Sequence, residues 1–394
     1  MGYSGGNMKP ETHSAVALAR CTSYAEDKIR FSLERMFADL GLTAADFTGK
    51  RICLKPNLVM AKKPETGATT HPAVLAVLAK LLIEWGAADI VVADSPGGPF
   101  AAASVNVVYR VCGLEELDGI PGVRLNDTYT FRQVNLPDGR TLKNCAFLDA
   151  VLDCDMLINV CKLKTHGLTG LSCAVKNLFG IVPGVEKFSM HATYPKIEDF
   201  SDMLVDITEY AMTGREYLAV CDGIVGMEGN GPTHGTPVEA NVLLASRSPY
   251  ALDVLAAHII GCSAPVVHLD KAAERGLTDR DWRHLTVLGD EVPGYRFKAP
   301  EASSGRFLKN LSGIMGGRLA EAFAAKPKIN NKTCVGCGVC ERSCPAHAIR
   351  IENTGDGKRA VISYNGCIKC YCCQELCPHG AVQMRKNPLI RMIH

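Results

Sequence analysis

The chain has 394 residues, 47% hydrophobic and 21% charged, which is an ordinary globular composition with room for a large core and for two or three domains. Its formal net charge of +2 supplies no global field for nucleic acid or an anionic membrane, and no run of like charges forms a basic tail. The start, MGYSGGNMKPETHSAV, lacks the apolar stretch of a signal peptide. Apolar runs such as AVLAVLAKLLIEWG are broken by Lys80 and Glu84 and are too short to span a bilayer, so a cytoplasmic location is expected.

Residues 14–290 alternate short apolar runs with longer helical patterns. AVALAR (15–20) reads as a strand, and YAEDKIRFSLERMFADLG (24–41) as a helix that stops at Gly41. RICLK (51–55) is a second strand. HPAVLAVLAKLLIEWG (71–86) is a helix, with Pro72 in its first turn and Gly86 after its end. DIVVAD (89–94), MLINV (156–160), YLAVCD (217–222) and NVLLAS (241–246) read as strands. KIEDFSDMLVDITEYAM (196–212) and PYALDVLAAHIIG (249–261) read as helices. This repetition predicts one α/β domain over residues 1–290, a mostly parallel sheet flanked by helices and joined by right-handed crossovers. Residues 291–328, rich in Pro, Gly and Ser, read as a partly helical linker.

In open α/β sheets, ligands bind at the carboxyl ends of strands. Here those ends carry Lys55 and Asn57, Asp94 before a Gly-Gly pair, Lys162, Lys164 and His166, and Asp222 before the glycine-rich GIVGMEGNGPTHGTP. Within KLKTHGLTGLSCAVKNLFGIVPG (162–184), Lys162 and Lys164 lie two apart and point the same way if extended. Leu168, Leu171, Val175 and Leu178 form a core stripe at helical spacing, off which Lys176 and Asn177 lie. A strand–loop–helix is expected, with Gly167, Gly170 and the helix start offering backbone N–H groups to a carboxylate or phosphate. Taken singly, each lysine reads as a surface group and each cysteine as a core residue. Their combination at several strand ends points to one shared cleft.

LKPNLV, TTHPAVLAVLAKLLIEWGA, VADSPGG, the 162–184 segment, MH (190–191) and CDGIVGMEGNGP together resemble the domain of unknown function 362 family. The resemblance implies that Lys55, Asn57, Lys162, Lys164, His166, Lys176, Asn177 and His191 belong to the family signature; it supplies no reaction. A looser similarity, through the helix after THP and the strand into ADSPGG, is to the N-terminal domain of nickel-pincer lactate racemases. No G-x-G-x-x-G follows a first strand, and no P-loop, G-x-S-x-G or H-E-x-x-H motif occurs. A third metal site from Cys161, Cys173, Cys221 and the histidines is conceivable, but no spacing demands it.

Eighteen cysteines are too many for an average chain, and nine of them follow residue 330. CVGCGVCERSCP from Cys334 and CIKCYCCQELCP from Cys367 each read C-x2-C-x2-C-x3-C-P, the second 33 residues after the first. A zinc site does not explain two full sets of four with their prolines. The stretch resembles a bacterial ferredoxin with two [4Fe–4S] clusters, a module expected over residues 329–394 as a small α+β domain. AIRIE and AVQMR, after the two motifs, look like its short strands. The resemblance implies that Cys334, Cys337, Cys340 and Cys377 hold one cluster and that Cys367, Cys370, Cys373 and Cys344 hold the other. Cys372 is a spare thiol near the second, able to compete as a ligand.

Three functions follow as expectations. The first is an iron–sulfur oxidoreductase, suited to an anaerobic setting. It would pass electrons from a redox partner protein to a small anionic substrate or cofactor, with Lys162, Lys164, His166 and His191 catalytic and His166 or His191 the proton source. Lys55, Asn57, Lys176, Asn177, Asp94 and Asp222 would bind that substrate. The second is a non-enzymatic electron carrier whose lysines dock a partner enzyme. The third is a cofactor-assembly or ligase-type enzyme with structural or sensing clusters. The oligomeric state is left open, a homodimer included.

Overall fold

The computed structural model describes residues 14–302 and 325–385, Asp356 excepted. Most of the predicted linker, residues 303–324, lies outside the described residues. The first half of the α/β body contains β1 (Ala15–Arg20), α1 (Glu26–Asp39), β2 (Arg51–Pro56), α2 (Pro72–Glu84), β3 (Asp89–Val92), α3 (Ala102–Val111), β4 (Val123–Leu125), β5 (Phe131–Asn135), β6 (Asn144–Leu148) and α4 (Asp149–Leu152). It continues through β7 (Met156–His166), β8 (Gly170–Ser172), α5 (Ala174–Asn177), α6 (Gly184–Thr193), α7 (Ile197–Met212), β9 (Glu216–Glu228), β10 (Thr236–Ser246), α8 (Pro249–Ile259), α9 (Val267–Glu274) and β11 (Thr286–Gly289). The C-terminal module follows with β12 (Lys326–Ile329), α10 (Val339–Arg342), β13 (Ile349–Thr354), β14 (Gly357–Ile362), α11 (Cys372–Glu375) and β15 (Val382–Arg385).

The central sheet has the order β11-β1-β10-β9-β7-β2-β3-β4, with β8 paired to β7. Alternation along β1 explains its two buried faces: Val16 and Leu18 enter one core, Ala17 and Ala19 the other. Helices α1, α2 and α3 cover the second face. Helices α7 and α8 cover the first, with Leu204 and Leu252 buried there. The mostly parallel α/β class therefore stands.

One part of the expected pairing differs. β10 runs antiparallel to both β9 and β1. The physical reason is the connection: residues 229–235 are too few for a crossover helix, so β9 and β10 close as a long hairpin. GIVGME, which lies beyond the strand expected to end at Asp222, is the end of β9, because its backbone pairs with Thr236–Glu239 of β10. The segment after His166 differs too: it is a short strand and a single helical turn, not a full helix. Leu168, Leu171, Val175 and Leu178 are nevertheless all buried, as their spacing required.

The module docks on the carboxyl end of the sheet. Thr233 Oγ1 donates to the Glu375 carbonyl at 2.7 Å, and His234 Nε2 lies 2.9 Å from the Cys377 carbonyl oxygen. Among the described residues no helix is long and apolar enough to cross a membrane.

Asp206 of α7 fixes the turn between β5 and β6 by accepting from the amides of Arg140, Thr141 and Leu142 and from Arg275 Nη1. Asp206→Ala is expected to cost about 3 kcal/mol, because it orphans buried donors and a charged partner. Urea unfolding checks this; a loss well under 1 kcal/mol would contradict it.

Candidate functional site

At the carboxyl ends of β2, β3 and β7, a chamber is lined by Lys55, Asn57, Asp94, Lys164, His166, Lys176, Asn177, Lys187 and His191, and by Cys372 and Glu375 from the module. Eight of the ten catalytic and binding residues proposed from sequence in the α/β domain meet there. Lys162 and Asp222 do not.

Lys55 is fully buried, and its Nζ donates to Asp94 Oδ1 at 2.6 Å and to the Pro56 carbonyl at 2.7 Å. Asp94 Oδ2 accepts from the Leu58 amide, which ties the end of β3 to the end of β2. Asn177 Oδ1 accepts from Asn57 Nδ2 at 2.9 Å, and Asn177 Nδ2 donates to Asn159 Oδ1 at 2.6 Å. Lys164 Nζ donates to Asn57 Oδ1 at 2.8 Å and to the Ala68 and Pro232 carbonyls. Lys187, on α6, donates to the Ser95 and Pro96 carbonyls. Lys176 Nζ sits 4.5 Å from the Phe179 ring centroid, a cation–π contact, with no hydrogen bond among the described residues.

Two glycines permit this closeness. A Cβ on Gly180 would fall 2.2 Å from Asp94 Oδ1 and 2.6 Å from Lys55 Nζ. One on Gly184 would fall 1.7 Å from the Gly98 carbonyl oxygen, which would push α6, and Lys187 with it, away.

Burial dominates the electrostatics. It brings Lys164 down to about 7, helped by the nearby charge of Lys162, and it brings Lys187 down to about 7 as well. Lys176 is lowered by the same cause. His191 is buried against Phe200 (centroids 4.4 Å apart) and held at about 3, first by burial and then by Lys176. His166 is pushed well below its usual value by burial, then by Lys176 and Lys164. Both imidazoles are neutral at pH 7. His166 Nδ1 accepts from the amides of Leu168 and Thr169, so the ring proton is on Nε2, 3.5 Å from Glu375 Oε1. Among the described residues, the buried Glu375 Oε1 has no hydrogen-bond partner, and burial raises its carboxyl.

Lys162 and Asp222 form a separate knot. Lys162 Nζ donates to Asp222 Oδ2 at 2.7 Å and to Tyr24 Oη at 3.1 Å, and both side chains are fully buried. Asp222 also accepts from the His71 amide and from Tyr24 Oη. The register of β7 on β9 breaks between Lys162 and Lys164, so the two lysines meet different surroundings despite their spacing. The expected anion cradle after Gly170 is also taken: Asp253 accepts from the amides of Ala174 and Val175 at 2.6 and 3.1 Å. Cys161, Cys173 and Cys221 do cluster, with Sγ contacts of 3.6 and 3.5 Å. Burial raises the Cys161 and Cys173 thiols well above their usual range, whereas at Cys221 burial is outweighed by hydrogen bonds from those two thiols and the thiol is lowered; the three sulfurs lie within 4.8 Å of one another.

In the module, Cys334, Cys337, Cys340 and Cys377 line one cavity. Cys344, Cys367, Cys370 and Cys373 line another. Each cavity thus takes its fourth thiol, Cys377 or Cys344, from the other motif. Four thiols around each of two apolar spaces fit a 4Fe–4S group in each. Cys372 lines both the second cavity and the lysine chamber.

Lys187, Cys372 as a wall of the chamber, and Glu375 were not foreseen. Lys187 lies four residues before His191 on α6, hence on the same helix face, and that spacing was a usable signal. Nothing local in CYCCQELCP says that Glu375 points out of its own domain.

Replacing Asp222 by Asn should leave Lys162 buried without its counter-charge and cost about 3–5 kcal/mol. Chemical denaturation checks it. An unchanged midpoint would contradict the structural assignment of this pair.

Residues 333–381 match the 4Fe-4S dicluster domain. A thylakoid-associated protein of Synechocystis sp. is 34% identical over 266 residues, covering 66% of this chain and 79% of that protein. Among solved structures, the lactate racemase apoprotein of Thermoanaerobacterium thermosaccharolyticum aligns at 14% identity and a TM-score of 0.37, over 63% of this chain and 57% of the racemase. A Thermotoga maritima protein aligns at 14% identity and a TM-score of 0.33, over 56% and 55%. The chain thus spans little more than half the length of either solved structure. Residues 52–258, just over half of the chain, match the family described as Domain of unknown function (DUF362), and the chain belongs to that family.

Proposed function

We propose that this protein is an iron–sulfur oxidoreductase that reduces a small anionic molecule held in the lysine chamber, with electrons drawn from two [4Fe–4S] clusters. Cys334, Cys337, Cys340 and Cys377 would hold one cluster, and Cys344, Cys367, Cys370 and Cys373 the other. When bound, such clusters supply electrons one at a time. The observation that carries the reading is the shared wall: Cys372 borders both the cavity of the second thiol set and the chamber of Lys164, Lys176 and Lys187.

The chain's own residues do the rest. Lys164, Lys176 and Lys187 attract an anion, and the low-dielectric walls strengthen that attraction. Lys55 and Asp94 neutralise each other, so they shape the site rather than add charge. Lys164, at about 7, can give its proton to the atom that gains electron density and be recharged from solvent. His166 and His191 are neutral, so the role of proton source, first expected of them, passes to Lys164. His166 instead offers its Nε2–H as a fixed hydrogen-bond donor.

The test is anaerobic oxidation of reduced methyl viologen by the full-length holoprotein, in the presence of a panel of small carboxylates and phosphates. The double substitution Cys337→Ser/Cys370→Ser should abolish turnover, and intact turnover in that variant would sink the reading. Binding of the accepted anion, followed by calorimetry, should weaken as pH rises through about 7, where Lys164 and Lys187 lose their charge. Lys164→Met should weaken it by about tenfold or more, as expected for losing a charged hydrogen-bond donor. Affinity that rises with pH over that range would contradict the assignment.

A further inference from the structure

The two thiol sets of the module differ in their surroundings. The second abuts the chamber, whereas the first reaches solvent: Cys337 is exposed, and the neighbouring Val335 is 55% exposed. The loop presenting them is framed by cations. Lys332 is exposed three residues before Val335. Exposed Lys358 lies directly across Gly336, where an added Cβ would fall 2.5 Å from the Lys358 Cβ. Arg342 lies over the loop's other side, its Nη1 donating to the Cys337 carbonyl at 3.4 Å. Among the described residues, the acidic neighbours Glu341 and Glu352 are held by the Ile351 amide and by Arg350 respectively.

An apolar tip over an accessible thiol, with Lys332, Arg342 and Lys358 nearby, is suited to brief docking of a negatively charged face. Opposite charges speed encounter, and a small apolar contact allows fast release. Nucleic acid fits less well, since three cations around a single loop give neither a stripe nor a groove to follow a backbone. We propose that this face is the electron-entry port and that its partner is a one-electron carrier protein with an acidic docking surface. This rests on the reading of the module as an electron path into the chamber.

The experiment measures the entry step alone, by anaerobic stopped-flow absorbance of the iron–sulfur chromophore in the full-length holoprotein. The probe donors are a reduced acidic flavodoxin, whose flavin bands separate its own oxidation from cluster reduction, and the reduced methyl viologen radical cation. With the flavodoxin, the second-order rate should fall about tenfold as ionic strength rises from low to a few hundred millimolar. Lys332→Glu/Lys358→Glu should slow it about tenfold at low salt and flatten the salt dependence, with no fall in the rate with methyl viologen. A double variant that matches the wild-type flavodoxin rate would overturn the proposal, as would a wild-type rate that is flat or rises with salt. Because chromophore reduction is read directly, a failure here is distinct from a failure of the chamber to turn over an anion.

Discussion

Burying ammonium groups without an equal number of carboxylates is the constraint on which the rest of this structure depends. Lys55 and Lys164 at the ends of two parallel strands and Lys187 on α6 are buried, yet among the described residues only Lys55 of these three has a carboxylate within salt-bridge distance. Lys164 and Lys187 rest on carbonyl and amide oxygens, which supply hydrogen bonds but little counter-charge. The chamber therefore holds its lysines at the margin of ionisation, and an arriving anion would relieve that strain. Glu375 meets part of the same need from the other domain, its buried carboxylate facing His166, Lys164 and Lys176.

This constraint also explains why the two domains belong together. The glycine-rich turn between β9 and β10 places Thr233 and His234 against the backbone of Glu375 and Cys377, and Gln374 Nε2 donates to the Asn230 carbonyl. Gly97 meets Leu376 so closely that an added Cβ would lie 2.3 Å from its Cδ2. The turn that sequence placed at a strand end as a cleft-lining loop thus also serves as the seat of the module. Docking there closes the chamber with Cys372 and Glu375, residues that belong to the electron-transfer motif by sequence and to the chamber by position.

Much of this was legible in the sequence. Periodicity located β1, β2, α1, α2, α7 and α8 almost to the residue, because each has an uninterrupted apolar pattern with a clear stop. Strand ends carrying Lys55, Asn57, Asp94, Lys164 and His166 pointed to one cleft, and the structure brings these residues together. The rest depended on geometry that spacing does not carry. The same two-residue step from Lys162 to Lys164 led to one buried ion pair and one chamber lysine, because the register shift on β9 lies between them. The hairpin of β9 and β10 was hidden by glycines that resemble a loop, and Glu375 by the fact that its role arises only on docking.

The central claim is that an anion held in the lysine chamber lies nearer the second thiol set than the first. Electron paramagnetic resonance of the dithionite-reduced holoprotein, recorded with and without the small anion that it binds, tests this most directly. The account predicts that the anion perturbs one of two iron–sulfur signals and leaves the other unchanged, and that Lys164→Met removes the effect. Equal perturbation of both signals, or of neither at saturating anion, would contradict it.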